Sequence, residues 1–133
     1  MARSSKIILC DTNILIELFK NNAVIIKSLH EIGLKKIAIS HVTVAELYFG
    51  AFNKHELKQI QLHLQAINII PINSNISNIF IQLMQTYSLS HKLSVPDALI
   101  AATAIEQNIS LYTLNKKDFR FINELHLWES SNP

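Results

Sequence analysis

The sequence predicts an α/β fold: a mostly parallel central sheet of four or five strands flanked by helices, in one domain over residues 1–133. Three observations predict it. Short unbroken apolar runs, such as Ile7-Ile8-Leu9-Cys10 and Ile37-Ala38-Ile39, read as strands buried on both faces. Amphipathic stretches with helical spacing lie between them. The two kinds alternate along the chain, as parallel strands joined by right-handed helical crossovers require.

Taken in order, the first strand covers residues 7–10 and stops at Asp11-Thr12-Asn13, after which Ile14 to Phe19 continue at helical density. A second helix, residues 24–32, sets Ile25, Leu29 and Ile32 on one side and ends at Gly33. Lys35 and Lys36 precede the second strand at 37–39, and a third helix runs from about Val42 to Gly50-Ala51. Leu57, Ile60, Leu64 and Ile67 mark a fourth helix with Lys58, Gln61, His63 and Gln65 facing outward. Ile69-Ile70 is a third strand, closed by Pro71.

Ile76, Ile79, Phe80, Leu83, Met84 and Tyr87 recur three and four apart, the stripe of a fifth helix against a core. Pro96 suits the first turn of a sixth helix, where its missing N–H costs nothing. Residues 98–105 are almost wholly apolar, so this helix is expected to be buried all round. Leu111-Tyr112-Thr113 is a fourth strand, followed by a polar loop over 114–119 and a possible short strand near His126-Leu127-Trp128.

Composition narrows the classes. An apolar fraction of 49% supports a packed core, and a formal net charge of +2 is compatible with an RNA partner without arguing for one. Cys10 is the only cysteine, which excludes an intrachain disulfide and points to a reducing, cytoplasmic setting. The first apolar run is too short for a signal-peptide core or a membrane span.

The chain has three aspartates, and each stands at a strand end or a helix start: Asp11, Asp97 and Asp118. Glu46 joins them from the first turns of the third helix. In a parallel sheet these positions share the carboxyl edge, where such folds place their ligands. Each acid also has a structural reading. Ser94-Val95-Pro96-Asp97 and Thr43-Val44-Ala45-Glu46 fit the capping-box pattern, Asp11 suits a helix cap, and Asn115 to Asp118 suits a turn.

Singly, caps are the commoner explanation; four acids at one edge are not explained by caps. Carboxylates crowded together repel, and a hard divalent cation such as Mg²⁺ or Mn²⁺ removes the conflict. No Cys-x-x-Cys or His-x-x-x-His spacing competes for zinc. Thr12 and Asn13 fall beside such an ion as hydrogen-bonding or water-positioning groups. Lys116, Lys117 and Arg120 flank Asp118, and His91 and Lys92 precede Asp97, so these side chains are candidates for RNA phosphates. Ile14, Leu15, Leu18, Phe19, Leu47, Tyr48 and Phe52 are more apolar side chain than one core face needs, which suggests an interface.

Four pieces carry a family resemblance: Asp11-Thr12-Asn13-Ile14-Leu15-Ile16-Glu17, Thr43-Val44-Ala45-Glu46-Leu47-Tyr48-Phe49-Gly50, Pro96-Asp97-Ala98-Leu99-Ile100-Ala101-Ala102-Thr103-Ala104, and Thr113-Leu114-Asn115-Lys116-Lys117-Asp118-Phe119. In this order and spacing they resemble the PIN-domain family, and within it the VapC-type ribonuclease toxins of toxin–antitoxin pairs. The resemblance implies a PIN-like α/β/α domain and a Mg²⁺- or Mn²⁺-dependent endoribonuclease site that leaves a 5′-phosphate and a 3′-hydroxyl. It matches Asp11, Glu46 and Asp97 to the family's acidic trio, Asp118 to its variable fourth acid, Asn115 to the polar residue before it, and Thr12 to its small hydroxyl position. It further implies a homodimer and a cognate VapB-like antitoxin whose tail reaches the acidic site from an apolar groove. Leu114 stands where the family usually has a basic residue, and Ser94-Val95 is a local variant.

Two other classes compete with this reading. An aspartyl-phosphate domain using Asp11 as nucleophile wants a second aspartate two residues on, where this chain has Asn13. A PIN-like binding or scaffold module without chemistry would not need all four acids.

Overall fold

A computed structural model describes residues 6–130. Four strands, β1 (Ile8–Cys10), β2 (Ile37–Ser40), β3 (Asn68–Ile70) and β4 (Ser110–Tyr112), form one sheet in the order β3-β2-β1-β4. Every pairing is parallel, with Leu9 beside Ala38 and Leu111, and Cys10 beside Tyr112. Six helices alternate with them: α1 (Thr12–Phe19), α2 (Ala23–Ile32), α3 (His41–Phe49), α4 (Lys54–Leu64), α5 (Ser74–His91) and α6 (Val95–Gln107).

The two-residue period of a strand divides the core. Leu9, Ala38 and Leu111 point to one face and pack with α5, α6 and the final segment through Ile76, Leu83, Ile100, Phe119 and Ile122. Ile8, Cys10, Ile37, Ile39 and Tyr112 point to the other and meet Ile14, Leu15, Ile25, Leu29, Leu47, Ile60 and Leu64 of α1 to α4. Truncating a side chain as enclosed as Leu9 or Leu29 to alanine costs about 2–5 kcal/mol.

The expected buried helix is α6, in which Ala98 and every residue from Ile100 to Ala104 are enclosed. Its alanines let the helix lie close to the sheet, and Thr103 turns its hydroxyl back to the Leu99 carbonyl at 2.8 Å, so no polar group is stranded. Helix α5 runs one turn past the predicted stripe, to His91. Gly33 ends α2 with φ at 102°, a region that L side chains rarely adopt.

Two expectations change. The short strand foreseen near 126–128 is a single parallel bridge, Leu111 with Leu127, closed by Leu111 N–H to the His126 carbonyl and Trp128 N–H to the Leu111 carbonyl. It still covers the free edge of β4. The third strand lies at the opposite edge and is largely exposed; the Asn68 side-chain amide donates to the Lys35 and Ile37 carbonyls at 3.0 Å. Finally, α3 is capped by Ser40, whose hydroxyl accepts from Thr43 N–H at 3.2 Å. Thr43 therefore lies inside the helix, and Thr43-x-x-Glu46 is not a capping box. Among the described residues, no helix is long and apolar enough to cross a membrane.

Candidate active site

The chain leaves β1 toward β2 on one side, while β4 closes on the other, so β1 and β4 border the point where the winding reverses. Ligands of open α/β sheets bind at the carboxyl end of such a point. Asp11 and Thr113 stand there, one step beyond the paired residues Cys10 and Tyr112, and the Asp11 N–H donates to the Tyr112 carbonyl at 2.9 Å.

Asp11 is 5% exposed and serves two structures. Its Oδ1 caps α1 by accepting from Thr12 N–H at 2.7 Å, and its Oδ2 accepts from the Thr113 hydroxyl at 2.7 Å. Thr113 in turn accepts from Asn115 N–H at 3.0 Å. The cap and the site are thus the same carboxylate, which keeps lone pairs on both oxygens for a further partner. Thr12 faces the other way: its hydroxyl donates to Glu46 Oε1 at 2.5 Å and meets the Thr43 hydroxyl at 2.9 Å. This buried pair of threonines sets the direction of Glu46 from α3.

Asp97 enters from the first turn of α6. Its N–H donates to the Ser94 hydroxyl at 3.2 Å, so the predicted cap is present. Asp118 enters from a single 3-10 turn, Lys116–Asp118, and both acids are half-buried. The electrostatics join the four. Burial pushes the Asp11 carboxyl above the usual carboxylate range; hydrogen bonds from Thr113 and Thr12 pull it back, and Glu46 and Asp118 push it further. Asp97 is pushed up to about 6, first by burial and next by Asp11, with Ser94 opposing and Asp118 and Glu46 adding. Each neighbour that raises these acids is another acid, the signature of carboxylates gathered without a cation.

Among the described residues, no three His, Cys, Asp or Glu side chains are placed to hold one metal ion together. The donor set still suits a hard divalent ion. Carboxylates and hydroxyls line the site, and Mg²⁺ is commonly held by one or two carboxylates while retaining water. Asp11 and Asp97 carry the raised pKa values and are the pair that fits.

The remaining predicted residues divide. Asn13 Oδ1 accepts from Leu114 N–H at 3.4 Å and ties the last loop to α1. Asn115 contributes through its backbone. Lys92 and Lys117 line a cavity of about 290 Å³ with His91, Ser94, Asp97, Asp118 and Phe121. Lys116 is instead paired with Glu129 at 2.9 Å, holding that carboxyl below its ordinary value, and Arg120 is exposed. Of the apolar residues expected at an interface, Ile14, Leu15 and Leu47 belong to the core, whereas Phe52 is 91% exposed; Phe49, not among those expected, is 93% exposed. Sequence reasoning missed Thr113 and Thr43 as parts of the site. Thr113 is detectable only once β4 is known to neighbour β1.

The comparisons with known proteins agree with this geometry. A PIN domain model matches residues 8–125. The chain is 32% identical over 124 residues to Ribonuclease VapC1 of Methanocaldococcus jannaschii, across 90% of this chain and 84% of that one. A toxin–antitoxin complex from Klebsiella pneumoniae superposes with a TM-score of 0.75 at 36% identity, covering 92% of this chain and 98% of the other. VapBC-1 from nontypeable Haemophilus influenzae gives 0.78 at 29% identity, over 92% and 97%.

Proposed function

This chain belongs to the PIN-domain family, and from that premise we propose that it is an endoribonuclease toxin, dependent on Mg²⁺ or Mn²⁺ and silenced by a cognate VapB-like antitoxin. The observation that carries the chemistry is the grouping of Asp11, Glu46, Asp97 and Asp118 at one carboxyl edge, where Glu46 and Asp118 add to the raised proton affinity of Asp11 and Asp97. Asp11 and Asp97 would hold the ion, with Glu46 and Asp118 as the further carboxylates of the site. When bound, such an ion acidifies water and offsets charge on a phosphoryl oxygen.

The chain's own groups do the positioning. Thr113 and Thr12 N–H fix the Asp11 carboxylate, and the Thr12 hydroxyl aims Glu46. Lys92 and Lys117 stand beside Asp97 and Asp118, where they attract the phosphates that four acids alone would repel. The antitoxin would cover the exposed rings of Phe49 and Phe52; Phe49 shares a cleft with His41, Val42, Ala45, Ile72 and the acid Glu46.

The test is cleavage of total RNA with Mg²⁺ or Mn²⁺ by Asp11→Asn and Asp97→Asn. Each should lose at least about 100-fold in rate, while full activity in both would refute the reading.

A further inference from the structure

We propose that His91 and Phe121 form a stacking platform that receives the base of one unpaired ribonucleotide beside the cleaved phosphate, a subsite that rests on the nuclease reading. Three observations converge on it. The His91 ring lies parallel to Phe121, with centroids 4.1 Å apart and planes 13° apart. Tyr87 meets both rings edge-on, at 5.6 Å and 5.1 Å, and holds the pair in place. His91 is exposed, and both rings of the stack line one cavity.

That cavity of about 290 Å³ also contains Asp97 and Asp118, so a base seated there places its phosphate at the acids. Its size lies at the lower end for small-ligand clefts, enough for a single nucleotide and not for a duplex. Aromatic faces flanked by cations are the means by which proteins hold unpaired bases, since every base has a π-face.

The third observation is the backbone at Lys92. This residue caps α5 in the left-handed conformation, φ 54° and ψ 37°, which glycine adopts with less strain. A lysine there keeps a strained turn in exchange for a cation in the lining of that cavity. Lys117 supplies a second cation to the lining of the cavity.

The probe is a single-stranded octaribonucleotide carrying 2-aminopurine at each position in turn, bound in an Asp11→Asn background that leaves the RNA intact. One position should be quenched severalfold. His91→Ala should abolish that quenching and weaken binding about tenfold, and His91→Phe should restore both. Lys92→Gly should weaken binding and lower the slope of log affinity against log salt by about 1, with a melting temperature no lower than the parent's.

Unchanged quenching and affinity in His91→Ala, with RNA cleavage intact in the otherwise wild-type chain, would overturn the platform and leave the nuclease reading standing. Quenching lost in His91→Ala from a protein that cleaves no RNA with either metal would keep the platform and remove the nuclease. Failure of His91→Phe to rescue would overturn stacking as the role of the ring. Equal quenching of free 2-aminopurine riboside monophosphate would assign the cavity to mononucleotides and overturn an RNA subsite.

Discussion

On the β1 side of the acidic site Asp11, Thr12, Thr43 and Thr113 are buried and each is hydrogen-bonded to another member of the group; on the α6 side Asp97 and Asp118 are half-buried and open onto a cavity walled by lysines and an aromatic pair. The closed half takes its order from the sheet, because β1, β2 and β4 deliver Asp11, the start of α3 and Thr113 to neighbouring positions. The open half is built from a helix start and a 3-10 turn. We read the difference as a division of labour in which one half fixes charge and the other admits a chain. Rigid placement of the first requires buried hydroxyls with no unsatisfied partner, and among the described residues no buried side-chain polar atom lacks one.

The largest effect outside the acids themselves should come from breaking the closed half. Thr12→Val removes the donor to Glu46 and leaves the Thr43 hydroxyl without its partner. Loss of a group that orients a ligand costs about 10- to 100-fold in metal affinity or activity, and the orphaned hydroxyl about 1–3 kcal/mol of stability. Thr12→Ser should retain most of both. Cleavage rates and urea melts of the two variants check this.

Next in size is the pH response of the metal-free protein. Asp97 titrates from an ordinary value of 3.8 when unfolded to about 6 when folded, and Asp11 shifts in the same direction. As pH rises between roughly 4 and 6, the unfolded chain releases a proton that the folded chain keeps, so stability falls through that window and is level above it. For Asp97 the loss is on the order of 1–2 kcal/mol after allowance for solvent. Thermal melts in EDTA should show it, Asp97→Asn should remove its share, and Mn²⁺ should raise the melting temperature more at pH 7.5 than at pH 5.

The smallest effect separates two adjacent lysines of the open half. Lys117→Ala should raise KM a few-fold and reduce the salt slope by about 1. Lys116→Ala should change either little, because its ammonium is engaged by Glu129. Cleavage assays across a salt series compare them.

These halves also differ in how far they could be read from residues alone. Asp11, Asp97 and Asp118 declared themselves because each stands near a strand end or helix start and its chemistry belongs to the residue type. Both core faces followed from strand runs and helix stripes, which are local patterns. Thr113 and Thr43 were not legible, since each matters only through contacts with residues 102 and 31 positions away. Glu46 was legible as an acid, and the capping-box alternative weighed for Thr43 to Glu46 falls because Ser40, at the end of β2, caps that helix N-terminus. The apolar surplus on α1 and α3 was overread for a related reason: periodicity cannot tell a core face from a partner face, and the sheet claimed Ile14, Leu15 and Leu47.

Calorimetric titration with Mn²⁺ tests the central claim, that acids from distant parts of the chain share one divalent ion. At pH 6 the wild-type chain should bind Mn²⁺ with a heat that varies with the buffer's ionisation enthalpy, because binding expels a proton from Asp97 or Asp11. Asp11→Asn and Asp97→Asn should each lose that binding while remaining folded. Wild-type affinity retained in Asp97→Asn, or no saturable binding to the folded wild-type chain, would contradict it.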